Sequence, residues 1–511
     1  MKPTHHDVCS IRFVNVLVAA FLTATASVGP MAMGATIDWI AGAPGGVYSD
    51  GASWSGGVVP GAADTARFNI PGVYQAVFFD FTGDRTLFEL EVLQGRPVFA
   101  LGAGTVNDPF LLSPTAVTVA SGATLAFSGG VEMTTFNFDV AGTFEVGDFV
   151  PGSSTADKTI TINDANVSLQ NGALIRLLNG TDATFIGGLN TLVNAQAALL
   201  VDGSTLHTGT SNTANSSWGS QSLGHFDLDI VNGSTATFNH STIFMGADDG
   251  SVDARVSGGS TVTSNSLNLG AASSSPGESV LVHVDGAGST WTQNGASTLT
   301  IGSNSASGSS SLVLSNQGVF NTGTGLTTIN RSGTLNLNTD GTTGGVFNAG
   351  GNVFVVGGTI NSVEATGIAI INSFNLAAGT TLTASADAQL NFTGDYDVVD
   401  GTTLNITDGA DWSLTEDLDI GDATGGTVVV DGAGSTLAVG GNLSSFGLNG
   451  ATGSLTLRNG ATATFDSDVS VGQHAYATGT ASIESGADLI LNSGLRVGNS
   501  SGSGTLTVTG S

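Results

Sequence analysis

Lysine is almost missing from this chain. It occurs only at Lys2 and Lys158, and Lys and Arg together number 11 against 41 Asp and Glu, for a net charge of −30. A surface that tracks phosphates needs clustered basic side chains. Nucleic acid is therefore excluded as a partner, and anionic membranes and acidic polysaccharides are disfavoured. Cysteine occurs once, as Cys9. A disulfide framework and a multi-cysteine metal site are excluded with it. Proline is limited to 10 residues, and glycine follows no three-residue period, so the chain is not collagen. Charged residues make up 10%, yet apolar residues reach 40%, too many for a disordered acidic tail. No stretch shows convincing helical periodicity, and none beyond Val28 approaches a membrane span in length.

What is abundant is glycine, 75 of 511 residues, about twice the usual share. Such a composition belongs to an all-β protein with many turns.

The first residues read as an address. Lys2 and Arg12 precede a mostly apolar stretch, Phe13 to Val28, and the small residues Ala32, Gly34 and Ala35 follow. This basic, apolar, small-residue order is that of a secretory signal peptide over residues 1–34. Cleavage after Gly34 fits, with Ala26 and Ala35 as competing sites. A membrane anchor is the other reading, but the stretch is short, carries Asn15 and lacks a basic flank behind it. Cys9 precedes the apolar stretch, so it is not a lipoprotein cysteine and leaves with the peptide. The mature chain then holds no cysteine and no transmembrane segment.

The body is a repeat array. In the last quarter, Gly421, Gly447, Gly472 and Gly498 follow apolar strands at spacings of 26, 25 and 26. Each is followed by a variable connector and then by Gly426-Thr427, Gly453-Ser454, Gly479-Thr480 or Gly504-Thr505. Alternating residues come next, as in Val428 and Val430, or Leu455 and Leu457. A turn such as Asn459-Gly460 or Ser485-Gly486 closes the run. Each unit holds three short runs of period two, with side chains pointing alternately in and out. Strands of four residues cannot bury a core alone, so successive units must stack. The expected fold is all-β: a right-handed parallel β-helix (β-solenoid) of about 25-residue coils. Val430, Leu457, Ile483 and Val508 are expected to form one inward column. A propeller blade needs about 40 residues, and a sandwich shows no such self-similarity.

The domain organisation follows from regularity. Residues 35–110 are rich in aromatics, including Trp39, Tyr48, Trp54, Phe68, Tyr74 and Phe99. They are expected to cap the open solenoid end, with an aromatic sugar-binding face as the alternative. Residues 111–224 are irregular coils, 225–332 are repeats, 333–420 are degenerate coils, and 421–511 are regular repeats. The last unit stops at Ser511 before its second and third runs, so the chain is expected to continue further.

The units Val284 to Trp291 (VDGAGSTW), Val430 to Leu437 (VDGAGSTL) and Val497 to Ser511 resemble the repeat of bacterial autotransporter-type (type V secretion) and PEP-CTERM-associated proteins. The resemblance is good over 225–332 and 421–511 and textural elsewhere. It implies an exported, surface-displayed or released passenger, adhesin-like and without catalytic residues. Its C-terminal translocating barrel or sorting anchor is not recognisable in these residues. Cell-surface or extracellular localisation is implied, outer-membrane-associated where such a barrel or anchor exists. Surface glycans or other cell-surface and matrix proteins are the implied partners.

Chemical motifs are sparse. Gly498 to Gly502 matches G-x-S-x-G, but in a repeat connector rather than between a strand and a helix. The Gly286-Ala287-Gly288 and Gly432-Ala433-Gly434 pairs lack a third glycine, and Lys158 follows Asp157 rather than the glycine of a P-loop. His207, His225, His240, His283 and His474 show no helical zinc spacing and read as isolated. Asp395, Asp397, Asp400 and Gly401 approach a calcium loop, but Ile406 stands where the bidentate glutamate belongs. Asp248, Asp249 and Asp253, and Glu416, Asp417, Asp419 and Asp422, read as solvated turn carboxylates. No catalytic, cofactor-binding or metal residue is assigned, no cofactor is expected, and the chain reads as a non-enzyme. The alternative is a polysaccharide-active β-helix lyase or hydrolase, or a carbohydrate-binding protein.

N-terminal sequencing of exported material should begin near Ala35 and find no thiol. Recovery of Met1 or Cys9 in that material would contradict the address.

Overall fold

The structure, a computed structural model, describes residues 34–78, 85–101, 110–128, 131–134, 137–147, 159–163, 166–191, 195–209, 215–219, 224–246, 250–270, 279–304, 308–337, 345–363, 374–422 and 424–510. Residues 1–33 of the proposed signal peptide, Lys158, Asp248 and Asp249 lie outside them. The chain winds as a parallel β-solenoid with roughly 26 residues per turn. One turn in the regular part runs through Thr452–Arg458, Thr462–Phe465 and Asp468–Gln473, called here the first, second and third faces. On the second face, parallel pairing passes from strand to strand without a break, from Gly45–Val47 to Asp488–Leu491. Among the described residues the helical content is two short 3-10 turns, Gly51–Ser53 and Ser55–Gly57, and no helix is long and apolar enough to cross a membrane.

The period-two runs do what the alternation demands. Val430, Leu457 and Ile483 pair in register and are buried. Val508 continues that register but is 69% exposed, because no described strand stacks on its far side. The expected inward column therefore holds for three of its four members.

The recurring glycines have a steric cause. Gly447 and Gly472 sit at φ of 77° and 74°, where an L side chain is strained. Gly453 and Gly479 serve a different need. A Cβ on Gly479 would lie 2.0 Å from the Phe446 carbonyl oxygen and 2.2 Å from the Gly472 nitrogen, and one on Gly453 would lie 2.2 Å from the Gly447 nitrogen. The end of the third face and the start of the next first face thus meet backbone to backbone. This contact requires a glycine on both strands, which explains the two glycines in every unit.

Within the region that looks degenerate by sequence, 333–420, the described strands keep the solenoid pairing. Val319–Asn321, Val346–Ala349 and Phe374–Leu376 pair in register on the third face. Their inward rings Phe320, Phe347 and Phe374 stack at 5.9 and 5.6 Å, with interplanar angles of 12° and 7°. Outward, the Asn348 amide donates to Asn321 at 2.7 Å and the Asn375 amide to Asn348 at 3.0 Å. An apolar stack and an amide ladder therefore run along opposite sides of the same strands. Beyond Leu376 the third face restarts: Tyr396–Val398 opens a separate five-stranded sheet ending at Leu495–Asn499.

Residues 35–110 share the same ladders. Thr36–Asp38 and Gly45–Val47 both pair with Thr65–Phe78, and the expected boundary at 110 falls at the start of the strand Phe110–Val119. Trp39, Tyr48, Trp54 and Phe68 pack at centroid distances of 4.9 to 5.5 Å. All four are buried, as are Tyr74 and Phe99. Trp54 donates its indole N–H to the Tyr48 carbonyl at 2.7 Å. These six rings are turned into the lumen and contribute nothing to an outward aromatic face.

Gly479→Ala should destabilise by at least the ~1–3 kcal/mol that forced overpacking costs, because backbone on both sides blocks relaxation. Gly486→Ala, at φ 73° with nothing within 4 Å of the added carbon, should cost only about 1 kcal/mol. Urea unfolding midpoints for the two variants check the order.

Candidate functional site

Outward positions of the solenoid form columns, because side chains at paired positions in successive turns lie about 4.8 Å apart. Chemistry-bearing residues must therefore be sought one turn apart rather than within a contiguous motif.

The richest columns lie on the second face between His225 and Asp285. The strands His225–Val231, Ser251–Val256 and Ser279–Asp285 pair in register, placing His225 beside Ser251, Asp227 beside Asp253 and Asp229 beside Arg255. Their inward partners Phe226, Leu228, Val252, Ala254, Val280 and Val282 are buried, which anchors the alternation. His225 Nδ1 lies 2.7 Å from the Ser251 hydroxyl, and its Nε2 lies 2.8 Å from an Asp227 carboxylate oxygen. Asp227 is reached because residues two apart on a strand share a face. With Nε2–H donating to the Asp227 carboxylate, Nδ1 is left to accept from the Ser251 hydroxyl.

A second serine–histidine pair lies nearby with the opposite polarity. The Ser315 hydroxyl donates to Asp285 at 2.6 Å, so His283 Nε2, 2.7 Å away, donates to Ser315. Asn316 also donates to Asp285 at 2.8 Å, and Arg255 lies 3.6 Å from it. Burial acts to raise the Asp285 carboxyl. The hydrogen bonds from Ser315 and Asn316, with His283 and Arg255 nearby, outweigh it and hold the group below the ordinary range.

The acidic residues around Asp395 and Asp419 are more ordered than solvated turn carboxylates. Asp395 and Asp417 hold the next turn in place. Asp417 N–H donates to Asp395 at 3.0 Å, and the Asn442 and Leu443 N–H groups donate to Asp417 at 2.6 and 2.8 Å. Asp397 and Asp419 are paired positions on adjacent third-face strands. Burial, and then the like charge of Asp397, push the Asp419 carboxyl up to about 7, against hydrogen bonds from Ser445. Ile406 is a fully buried core residue, so this segment does not close as a calcium loop. Asp422 accepts from the Asn449 amide at 2.7 Å. Among the described residues no group of three or more His, Cys, Asp and Glu has metal-holding geometry.

Two arginines converge on one buried carboxylate elsewhere on the second face. Glu145 accepts from Arg96 at 2.8 Å and from Arg176 at 2.7 Å, with its own side chain 6% exposed. The intervening turn places small Ala126 beside Glu145, which lets Arg96 reach across it. This triad carries structural load and leaves no exposed reactive group.

Other sequence candidates resolve simply. Gly498 to Gly502 joins the strands Leu495–Asn499 and Ser503–Thr509, with Ser500 and Ser501 at φ of 52° and 70°. No helix follows, so it is not a nucleophile elbow. The Gly286/Gly288 and Gly432/Gly434 pairs are corner residues at φ of 81° to 97°. His225, His240 and His283 are not isolated as expected: His240 is buried, with Nε2 2.9 Å from the Thr208 hydroxyl. No motif exposed the His225 grouping. Its only sequence signal is the step of 26 from His225 to Ser251, one solenoid turn.

No family model matches the chain, and no curated protein or solved structure is significantly similar to it.

The Asp419 carboxyl sets a pH dependence with a definite sign. A carboxyl raised in the folded state binds its proton more tightly there than in the unfolded chain. Its stabilisation is therefore complete below about pH 4 and lost as pH rises through about 7. Melting temperature should fall between pH 5 and pH 8, and Asp419→Asn should flatten that fall. An unchanged slope in the variant would assign the effect elsewhere.

Proposed function

We propose that this chain is an exported scaffold: a rigid β-solenoid displayed at the cell surface or released, adhesin-like, as a passenger of the autotransporter or PEP-CTERM-associated kind. The observation that carries the reading is the continuity of the ladders beneath outward columns of short polar side chains. On the first face Thr381, Thr403, Thr427, Ser454, Thr480 and Thr505 follow one another in register. This column of small hydroxyl groups, uncharged along its length, is suited to many weak contacts with surface glycans or with other cell-surface and matrix proteins. The signal-peptide pattern of residues 1–34 and the repeat resemblance support the same address. Across the whole chain the acidic balance of −30 keeps such a rod apart from its own copies and from anionic membranes.

The test is expression of the full chain with its own N-terminus in a Gram-negative host, followed by fractionation and protease treatment of intact cells. The reading expects the processed chain in the medium or at the surface, where added protease removes it. Full-length protein confined to the cytoplasm would overturn it.

A further inference from the structure

We propose that Ser251 is an activated nucleophile, with His225 as its base and Asp227 as the residue that fixes the imidazole tautomer, and that this corner of the second face cleaves short acyl esters carried on an uncharged or cationic polymer. The proposal goes beyond the scaffold role and does not depend on it. It would place a bond-breaking site on that scaffold.

The geometry supplies the three roles of a serine relay. Ser251 lies within 2.7 Å of Nδ1, and Asp227 within 2.8 Å of Nε2. The neighbouring His283–Ser315 pair shows that proximity alone does not make a relay. There the serine proton goes to Asp285 at 2.6 Å. At Ser251 the competing acceptor, the Gly224 carbonyl, is at 3.4 Å, so the imidazole is the better partner.

The surroundings define the substrate. Among the described residues the outward neighbours of Ser251 are His225, Asp253 and Ser279, none of them apolar enough to hold a long acyl group. Asp227, Asp229 and Asp253 repel an anionic backbone. The His225 and Asp227 side chains are 34% and 51% exposed, so an extended polymer can approach them from the outward side. In the reaction the Ser251 oxygen attacks the ester carbonyl carbon, and its proton moves to His225 Nδ1. The ester C–O bond then breaks, and the departing alcohol takes that proton. Water, deprotonated by the same nitrogen, attacks the acyl-serine carbonyl; the bond to the Ser251 oxygen breaks, that oxygen takes the proton back from Nδ1, and the carboxylic acid is released. Asp227 stays ionised throughout. Ser251 N–H is committed to the Gly224 carbonyl at 2.8 Å and cannot stabilise an oxyanion. Slow turnover is therefore expected.

The experiment treats the full chain with a fluorophosphonate probe and, separately, with p-nitrophenyl acetate, and maps the modified residue by peptide mass. The expected result is one predominant label on Ser251, absent in Ser251→Ala and His225→Ala and slowed at least about tenfold in Asp227→Asn. Ser279→Ala, at the same position one turn further, should label like the wild type. Melting curves establish that each variant is folded. Label spread over many serines, label undiminished in Ser251→Ala, or none above that of the denatured chain would overturn the proposal.

Discussion

The solenoid depends on one constraint, the hydrogen bonding of strands to their counterparts in neighbouring turns. No run here is long enough to bury a core on its own, and isolated short strands are unstable. Axial pairing satisfies the backbone and, by keeping register, brings Val430, Leu457 and Ile483 into one column. The close approach of Gly472 and Gly479 belongs to the same constraint. Where the third face meets the next first face, backbone packs on backbone, and any side chain would push the turns apart.

The same constraint decides what could be seen in the sequence. Over 421–511 the turns keep a nearly constant length, so glycine pairs recur on a fixed period and the fold can be read directly. Over 333–420 turn lengths vary. Leu382 pairs with Val353 of the turn before and with Leu404 of the turn after, a long step followed by a short one. Insertions and deletions at corners leave the strands paired but erase the period. A signal survived even there. Phe320-Asn321, Phe347-Asn348 and Phe374-Asn375 recur at one constant spacing, and the inward ring and outward amide of each pair build the two ladders. The break between Phe374–Leu376 and Tyr396–Val398 left no such trace.

The candidate site was less legible for a related reason. A motif search looks for chemistry at fixed short spacings, which suits helices and tight loops. A solenoid joins residues one turn apart, so His225 and Ser251 meet across a full turn while looking isolated in the chain. The literal G-x-S-x-G of residues 498–502 had the right letters and the wrong setting. The acidic residues followed the same rule. Asp397 and Asp419 read as separate turn carboxylates, but pairing makes them neighbours, and burial of Asp419 makes the pair sensitive to protons.

The most direct measurement of the central claim is a pair of spin-label distances along one outward column. Ser311, Thr334, Thr359, Gln389, Asp411, Thr436 and Thr462 occupy successive turns of the second face. With Cys9 replaced and cysteines introduced at Ser311 and Thr462, pulsed electron paramagnetic resonance should give one narrow distance near ~29 Å, about 4.8 Å per turn. Labels at Thr359 and Thr462 should read about 19 Å on the same scale. A broad distribution, or distances that do not scale with the number of intervening turns, would contradict the stacked parallel register.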